Sequence, residues 1–551
     1  MSRFFRAALL GALALRAGGQ PPARSPLPAG TAVIRGRVVR SDGRPLPRAT
    51  VQIAGAERRV QRTETTDADG RFEFTALTAD VYTLSARKPG YLELQFGQRR
   101  PVDHGRPIAL VDGETRDRVD IALPRNGAIA GRVTDENGDP IEGVSVRVLR
   151  VAYAADRRLL LEVPSAQARQ TNDLGRYRIY GIPPGKYIVA ASVGVRGGVA
   201  GFAYAPAFFP GGSSPTDAQF VPVDVAQDVS GIDFSTRRVR LFGVSGVAND
   251  AAGRPLAGTV MLSVRLDRQP IGIPPAMAVV GGDGAFAFAG VPAGDYVVQA
   301  VGRRPPQTRT GMDEGEFAAR YLTVIDRDIR DLAMVTSKGS TLRGRIHFDG
   351  DASHDVAISA FPTGADVSPN TGGPPAFARA RDDGTFEVSG LNGPRRLTLF
   401  GGSPQWSIQS IRVNGLNVTD EVLPFGTADQ SLDDVDVTVT THAAEVTGRV
   451  VDGRGQPADD YTVIVYSVDR QRWYRNSRFM KFARPQSAGS FRIGGLPPGE
   501  YFVAAVDRME GTEGFGEWQD PSVLESLVPD ASRIVLGESQ QLSLTPRLIV
   551  R

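Results

Sequence analysis

The chain contains no cysteine among its 551 residues. Disulfide bonds, thiolate nucleophiles and cysteine-ligated zinc or iron–sulfur sites are therefore excluded. Histidine is also scarce, with four in the whole chain. The 64 basic residues are nearly all arginine and are balanced by 61 acidic residues. Because phosphate binding depends on clustered positive charge, this balance indicates no nucleic-acid partner.

Long apolar runs are missing as well, apart from one at the N-terminus. Two arginines precede an apolar stretch at residues 7–15, and the small residues Ala17 and Gly19 have the spacing of a cleavage site. No later stretch approaches the ~20 apolar residues of a spanning helix. We expect residues 1–19 to be a signal peptide and residues 20–30 a linker, with the mature chain secreted, periplasmic or at the cell surface. A disordered or interfacial N-terminus is the alternative, because an arginine interrupts the end of the apolar stretch.

Glycine and proline are abundant, at 63 and 39 residues, which indicates many turns and short elements. Five copies of one unit open on a glycine within an apolar run: Gly36, Gly131, Gly246, Gly344 and Gly448. In four copies an aromatic residue is followed ten positions later by tyrosine: Phe72/Tyr82, Tyr177/Tyr187, Phe286/Tyr296 and Phe491/Tyr501. In the fourth copy Phe386 is present, and the same spacing places Arg396 at the tyrosine position. A unit of about 100 residues is longer than a solenoid repeat and can bury its own core.

The second copy shows the unit most clearly. Asn137-Gly138 has the composition of a hairpin turn, Val144 begins an alternating strand, and Pro183-Pro184-Gly185 has the composition of a second turn. Six or seven short strands with such turns are typical of a two-sheet sandwich. We expect the paired aromatics to lie in the core, with the tyrosine hydroxyl bonded to the backbone. The sequence therefore predicts an all-β tandem array of about five antiparallel β-sandwich domains, at residues 31–125, 126–239, 240–339, 340–443 and 444–551, like beads on a string.

The combination of Gly-Arg-Val, Asp-x-x-Gly-x-aromatic and Pro-Pro-Gly-x-Tyr resembles the carboxypeptidase regulatory-like domain. The resemblance runs from Thr31 to the C-terminus and is degenerate in the fourth copy. It implies a transthyretin-like or immunoglobulin-like sandwich, often grouped with the carbohydrate-binding-like fold. Such a sandwich hosts many roles, so the resemblance is specific for fold and weak for function.

Catalytic patterns are few. His442 and Glu445 match the His-x-x-Glu of zinc carboxypeptidases, but a hydrolytic zinc site needs three protein ligands and no histidine follows. His104, His347 and His354 lie in loop-like sequence without the spacing of a triad. No nucleotide-binding motif is present. We expect no catalytic residue, no cofactor and no enzymatic activity.

Calcium is the more plausible ion on composition. Asp67-Ala68-Asp69-Gly70 and the turn that begins at Asp135 place oxygen ligands around a glycine. An EF-hand requires a glutamate at position 12, where these segments have Thr78 and Val146. Asp and Asn also cap turns through their own side chains. We therefore expect Asx turns and no metal site.

Aromatic residues in loops are the binding candidates, because flat aromatic faces with polar neighbours suit sugar or peptide contacts. The candidate ligand-binding residues are Trp473, Tyr474, Tyr204, Phe208 and Phe209. The alternative is that each covers the end of its own sandwich, which is the expectation for the other two tryptophans, Trp406 and Trp518. Asp520 and Pro521 predict the start of a short helix that packs on the fifth copy.

The sequence thus predicts an exported, non-catalytic binding or spacer protein. Carbohydrate at the cell envelope is the first expectation for its ligand, by analogy with the fold grouping. The alternative partners are cell-envelope proteins, bound by a structural or adhesive protein through edge-strand addition. A third hypothesis is an accessory subunit of a separate hydrolase or transporter.

Overall fold

The computed structural model of the chain describes residues 30–55, 61–98, 105–154, 157–163, 166, 169–192, 202–265, 275–308, 310–350, 356–364, 366–369, 375–400, 406–426, 430–458, 460–485, 490–509, 511–512 and 515–551. The predicted signal peptide, His104 and His354 lie outside these residues.

Five β-sandwiches follow one another along the chain, named sandwich 1 to sandwich 5. Sandwich 1 comprises β1 (Ala32–Arg40), β2 (Thr50–Gly55), β3 (Gln61–Thr65), β4 (Arg71–Leu77), β5 (Asp80–Arg87), β6 (Leu94–Gln95), β7 (Ile108–Leu110), β8 (Thr115–Arg116) and β9 (Ile121–Leu123). Sandwich 2 comprises β10 (Gly127–Thr134), β11 (Ser145–Ala154), β12 (Arg157–Glu162), β13 (Arg169–Gln170), β14 (Arg176–Ile182), β15 (Gly185–Ser192), β16 (Phe202–Tyr204), β17 (Ala207–Phe208), β18 (Val221–Val223), β19 (Asp228–Val229) and β20 (Phe234–Ser235).

The remaining strands repeat this pattern. Sandwich 3 comprises β21 (Arg238–Asn249), β22 (Gly258–Val264), β23 (Ala276–Val279), β24 (Ala285–Pro292), β25 (Gly294–Gly302), β26 (Gly311–Met312), β27 (Phe317–Val324) and β28 (Ile329–Val335). Sandwich 4 comprises β29 (Ser340–Asp349), β30 (Ala357–Pro362), β31 (Phe377–Arg379), β32 (Thr385–Leu391), β33 (Gly393–Phe400), β34 (Ser407–Val413), β35 (Leu416–Asn417), β36 (Leu423–Phe425) and β37 (Ser431–Thr440). Sandwich 5 comprises β38 (Ala444–Arg449), β39 (Thr462–Ser467), β40 (Met480–Ala483), β41 (Ser490–Leu496), β42 (Gly499–Val506), β43 (Gly511–Thr512), β44 (Phe515–Gly516), α1 (Pro521–Leu527), β45 (Ser532–Leu536), β46 (Gln541–Leu544) and β47 (Leu548–Ile549).

Each sandwich has the same two sheets. In the first sheet, the opening strand pairs antiparallel with the strand that carries the first aromatic of the motif and parallel with the closing strand, as in β4-β1-β8 and β41-β38-β46. The second sheet has the order β3-β2-β5 in sandwich 1 and β40-β39-β42 in sandwich 5. Buried apolar residues fill the space between the two sheets of each sandwich. The predicted all-β tandem architecture is confirmed.

The closing strand of each sandwich explains why the motif position must be glycine. In all five copies this glycine lies directly opposite the aromatic residue of the neighbouring strand: Gly36 opposite Phe72, Gly131 opposite Tyr177, Gly246 opposite Phe286, Gly344 opposite Phe386 and Gly448 opposite Phe491. A Cβ atom at any of the five positions would lie 1.9–2.0 Å from a carbonyl oxygen of the closing segment. Only glycine allows that backbone to approach so closely.

The motif tyrosines close the turn that precedes their own strand. The hydroxyls of Tyr82, Tyr187, Tyr296 and Tyr501 donate to the carbonyl four residues earlier, at distances of 2.6–3.0 Å. The four rings are at most 9% exposed. Burial raises the pKa of Tyr296 to about 12. The predicted packing and backbone hydrogen bond are confirmed.

In sandwich 4, Arg395 occupies the position of the motif tyrosine. The prediction of Arg396 from the sequence spacing was therefore wrong by one residue. Arg395 lies opposite Pro362, as Tyr501 lies opposite Ser467 in sandwich 5. The turn before Arg395 is one residue shorter than the turn before Tyr501, and this shifts the position by one. Nε and Nη2 of Arg395 donate to the carbonyl of Asn392 at 2.9 and 2.7 Å, which replaces the hydrogen bond of the tyrosine.

Aspartates at the predicted turns cap backbone amides. One carboxylate oxygen of Asp135 accepts from the amides of Asn137 and Asp139, both at 2.9 Å. Asp67 does the same for Asp69 and Arg71, at 2.9 and 2.8 Å. These are the predicted Asx turns.

Helix α1 begins where the sequence predicted. The Asp520 side chain accepts from the amide of Ser522 at 2.8 Å, and Pro521 occupies the first turn. Leu524 and Leu527 are buried in a second apolar cluster on the outer face of sandwich 5. No helix within the described residues is both long and apolar enough to cross a membrane.

Candidate functional site at the junctions between sandwiches

Two of the predicted binding residues lie where sandwich 4 meets sandwich 5. Trp473 ends the 3₁₀ turn Arg470–Arg472, which Asp469 caps by accepting from the amide of Gln471. The Trp473 ring is 7% exposed and packs edge-on against Tyr466, with 5.5 Å between ring centroids. Its indole Nε1 donates to the carbonyl of Ser467 at 2.7 Å. Trp473 therefore belongs to the second apolar cluster of sandwich 5, with Leu524 and Leu527, and has no open face for a ligand.

Tyr474 points the other way, toward sandwich 4. Its hydroxyl donates to Oδ1 of Asp420 at 3.0 Å, and the guanidinium of Arg396 lies 3.5 Å from its ring centroid. Burial, together with the Asp420 carboxylate, raises the pKa of Tyr474 to about 12. Tyr474 is thus occupied by contacts between the two sandwiches.

Asp420 is the centre of this junction. Arg478 of sandwich 5 binds its carboxylate in a bidentate manner, with Nε 2.9 Å from Oδ1 and Nη2 2.8 Å from Oδ2. Nη1 of Arg478 donates to the carbonyl of Ile408 at 2.8 Å. On the sandwich 4 side, Nε of Arg396 donates to the Asp420 carbonyl at 2.8 Å. Bidentate guanidinium–carboxylate pairs fix geometry as well as charge, so this cluster orients the two sandwiches relative to each other.

A second junction joins sandwich 3 to sandwich 4. Residues 303–308 and 310–316 lie between β25 and β27, and β26 in this segment pairs antiparallel with β31 of sandwich 4. Glu314 then places its carboxylate on Arg395, at 2.9 and 2.6 Å. Arg395 is 0% exposed and Glu314 8%. A further bond from Nη1 of Arg395 to the carbonyl of Ala360, at 3.1 Å, gives the guanidinium five hydrogen bonds for its five N–H groups.

A third contact of this kind links sandwich 2 to sandwich 3. Strand β16 pairs antiparallel with the start of β21. The guanidinium of Arg238 lies 5.7 Å from the ring centroid of Tyr204, and its Nε is 3.4 Å from the tyrosine hydroxyl. The predicted binding residue Tyr204 is therefore part of a junction. Sandwiches 2 to 5 are thus joined by side-chain and strand contacts rather than strung like isolated beads.

The other predicted residues of sandwich 2 lie inside it. Phe208 is 1% exposed and packs with Leu149, Leu160 and Ile188. Phe209 is partly buried and meets Phe234 edge-on, with 6.5 Å between ring centroids. Neither ring presents a flat platform to solvent.

A cleft of about 430 Å³ opens beside the junction of sandwiches 4 and 5. Its lining combines charged groups of both signs with hydroxyl and amide groups, over an apolar floor that includes Phe479 and Pro497. The polar residues that line it are Asp349, Ser407, Gln409, Thr440, His442, Arg472, Arg478, Glu538 and Ser539. Its volume is within the range of small-molecule sites, and such sites are common between domains.

The His-x-x-Glu pair does not converge. Nδ1 of His442 lies 3.4 Å from Oδ2 of Asp349, whereas Glu445 forms an ion pair with Arg492 at 2.7 Å. Within the part of the chain that the structure describes, no three histidine, aspartate or glutamate side chains are close enough to hold a metal ion. The carboxylate and imidazole of the cleft can therefore accept and donate hydrogen bonds, but they do not resemble a zinc site.

An open groove of about 770 Å³ also crosses the first sheet of sandwich 1. Two of its carboxylates have partners: Glu73 forms an ion pair with Nε of Arg35 at 2.6 Å, and Asp120 accepts from the backbone amide of Arg37 at 2.8 Å. These residues flank the motif glycine, so the groove is a consequence of the repeated fold.

Sequence reasoning missed Glu314, Arg395, Asp420 and Arg478. One signal was available for Arg395, because the fourth copy alone lacks the motif tyrosine. No local pattern links Asp420 to Arg478 or Glu314 to Arg395, since their partners come from different units of the chain.

Comparison with known proteins identifies the domain type. Residues 33–124 and 128–199 each match the carboxypeptidase regulatory-like domain family. No curated protein sequence was found to match the chain. For sandwiches 3 to 5, the likeness to this domain rests on the repeated sheet order and motif contacts.

Solved structures with some likeness include three pilus proteins. A streptococcal ancillary pilin is 11% identical, with 55% of this chain and 98% of that chain covered and a TM-score of 0.18. A minor pilin of Streptococcus agalactiae is 13% identical, with coverages of 38% and 97% and a TM-score of 0.23. A full-length pilus protein of Streptococcus pneumoniae is 8% identical, with coverages of 77% and 98% and a TM-score of 0.15. TM-scores this low do not support any conclusion about function from these structures. The family match, together with the repeated sheets, identifies sandwich 1 and the first part of sandwich 2 as carboxypeptidase regulatory-like domains.

Proposed function

We propose that the chain is an exported, non-catalytic spacer protein in which sandwiches 3, 4 and 5 form one stiff block. One observation carries this proposal: the side chains in which the copies differ form the junctions between neighbouring sandwiches. Arg395 replaces the motif tyrosine and binds Glu314 of sandwich 3, and Asp420 of sandwich 4 binds Arg478 of sandwich 5. A protein that only displayed independent binding modules would gain little from buried contacts of this kind, because flexible linkers suffice for display.

A further feature supports the proposal. The N-terminal sequence, with its basic, apolar and small-residue segments, supports export.

The stiffness of the block can be measured directly because the chain contains no cysteine. Ile325 in sandwich 3 and Val535 in sandwich 5 are 71% and 64% exposed, so cysteine pairs at these positions can carry spin labels. We expect a narrow distribution of label-to-label distances from pulsed electron resonance. We also expect Asp420→Ala to broaden that distribution. A distribution that is already broad in the unsubstituted chain, and no broader in Asp420→Ala, would contradict the spacer role.

Binding of a neutral saccharide in the cleft of sandwiches 4 and 5 is a second candidate function. The observation that favours it is a lining with balanced charge, several hydroxyl and amide groups and an apolar floor, which suits the two kinds of surface on a sugar ring. Trp473→Ala would not test this idea cleanly, because that ring is buried in the second apolar cluster of sandwich 5.

A glycan array with the purified chain tests the second candidate, with Gln409→Ala as the informative variant. Gln409 lines the cleft and is exposed, whereas Gln471 is also exposed, on the adjacent 3₁₀ turn, but does not line the cleft. We expect Gln409→Ala to weaken binding and Gln471→Ala to leave it unchanged. No saccharide bound above background, or equal loss in both variants, would exclude the cleft as a sugar site.

A further inference from the structure

Strand β23 lies at an edge of the second sheet of sandwich 3. The sheet has the order β23-β22-β25-β27, and no described strand pairs with the outer edge of β23. The strand reads Ala-Met-Ala-Val and carries two of the most exposed large apolar side chains in the described chain. Met277 is 66% exposed and Val279 is 82% exposed. Exposed apolar edges of this kind are templates for pairing with another strand.

The equivalent edges in sandwiches 1, 2 and 5 carry charge. Strand β3 contains Arg62 and Glu64, and β40 contains Lys481. In sandwich 2 the edge strands β12 and β13 both contain arginine. Charged residues on an edge strand discourage pairing with other chains. Among these four equivalent edges, to which no described strand is added, the edge of sandwich 3 lacks this protection.

Sandwich 4 shows what such an edge accepts in this protein. Its edge strand β31 is covered by β26, which pairs antiparallel and places Gly311 opposite Ala378 and Met312 opposite Phe377. The amide of Arg379 in β31 donates to the carbonyl of Thr310 at 2.7 Å, which extends the pairing. The occupant of the edge is therefore an extended, partly apolar strand held through its backbone.

We propose that β23 is a self-association edge, which pairs antiparallel with β23 of a second copy of this chain. An antiparallel pair of identical strands is two-fold symmetric, so a single strand supplies both halves of the interface. The uncharged sequence brings no like charges together across the pair. The contact is short, so the dimer is weak and its population depends on concentration. It does not rest on the spacer role, because stiffness within one chain and pairing between chains are measured separately.

Sedimentation velocity of the full chain over a range of concentrations tests the proposal. We expect a dimer whose fraction rises with concentration and falls sharply in Met277→Lys and Val279→Lys, with an unchanged circular dichroism spectrum. Ile325→Lys is the matched control, because Ile325 is 71% exposed in the same sandwich but lies outside any strand. A chain that stays monomeric at every concentration, or a dimer that both β23 variants retain, would overturn the proposal.

A single introduced cysteine then locates the contact. A spin label on Val279→Cys should give a short distance between the two chains, since paired strands lie about 4.8 Å apart. The same label on Ile325→Cys should give a longer distance. A longer distance from position 279 than from position 325 would place the dimer contact elsewhere and refute pairing through β23.

Discussion

Arg395 and Glu314 form a buried ion pair between two sandwiches, with the guanidinium at the position that tyrosine holds in the other four copies. The carboxylate comes from sandwich 3 and the guanidinium from sandwich 4, and the shorter of the two contacts between them is 2.6 Å. Because the arginine repeats the backbone bond of the tyrosine and adds a charge, sandwich 4 requires a counter-charge that its own residues do not supply. The divergence of the fourth copy thus couples it to its neighbour.

Removal of one partner should therefore destabilise sandwich 4 strongly. We expect Glu314→Ala to lower its free energy of unfolding by about 3–5 kcal/mol, because the guanidinium stays buried without its counter-charge. Since the sandwiches of such a chain unfold separately, hydrogen exchange of the amides in β33 is the suitable measurement. Combining Arg395→Tyr with Glu314→Gln should recover part of the loss, since it restores the residue type of the other copies.

The matched control is Glu387→Ala in the same sandwich. Glu387 pairs with Arg343 at 3.1 Å, and both side chains are solvent-exposed. Exposed pairs contribute about 0–1 kcal/mol, so exchange in β33 should hardly change. Equal effects of Glu314→Ala and Glu387→Ala would show that the buried pair does not couple the sandwiches.

The motif glycine should tolerate no side chain. In Gly448→Ala the new Cβ atom would lie 1.9 Å from the carbonyl oxygen of Leu544, so the closing strand β46 must move. We expect a loss of about 1–3 kcal/mol or more in sandwich 5, as for other overpacked sites. Gly453→Ala is the control, because its added Cβ would meet no atom within 4 Å. Hydrogen exchange in β38 should separate the two variants, and similar protection in both would reject this account of the motif.

The fold was predictable because its determinants are local. Turn-forming dipeptides, alternating strands and the glycine–aromatic spacing each lie within one unit, and their repetition supports the same interpretation in every copy. The placement of Arg395 failed for the same reason. Counting from Phe386 gave Arg396, but the turn between the strands had lost a residue, and only the pairing of Arg395 with Pro362 shows it.

The site was predictable only in part. The sequence predicts that Trp473 and Tyr474 either bind a ligand or cover the end of sandwich 5, and it does not decide between the two. Trp473 lies in a second core built with α1, and Tyr474 lies against Asp420. Both environments depend on contacts between distant parts of the chain, and one-dimensional patterns carry no such information.

The hydrogen bond of the motif tyrosine to the backbone gives a third prediction. In Tyr187→Phe the carbonyl of Pro183 loses a 2.6 Å hydrogen bond. Because this acceptor is only partly buried, we expect a cost of about 1 kcal/mol, at the low end of the range for unsatisfied buried groups. Tyr180→Phe is the control in the same sandwich, because Tyr180 is 51% exposed and water replaces its bond to Arg169. Hydrogen exchange in β15 should become faster in the first variant alone. Equal exchange in the two variants would mean that the bond from Tyr187 to the carbonyl of Pro183 contributes no stability.

The junction of sandwiches 4 and 5 should weaken in alkali through Tyr474. Burial and the Asp420 carboxylate raise its pKa from 10 to about 12, so the folded junction favours the neutral phenol. Its contribution to stability is therefore complete below pH 10 and is lost as the pH rises through about 12. The difference in absorbance at 295 nm between the wild-type chain and Tyr474→Phe isolates this phenol from the other tyrosines. We expect the difference in absorbance to titrate near pH 12. Over the same pH range, the distribution of distances between spin labels on Leu416→Cys and Val535→Cys should broaden. Titration near pH 10 would show that Tyr474 is solvated, and the proposed junction would then lose one of its three contacts with Asp420.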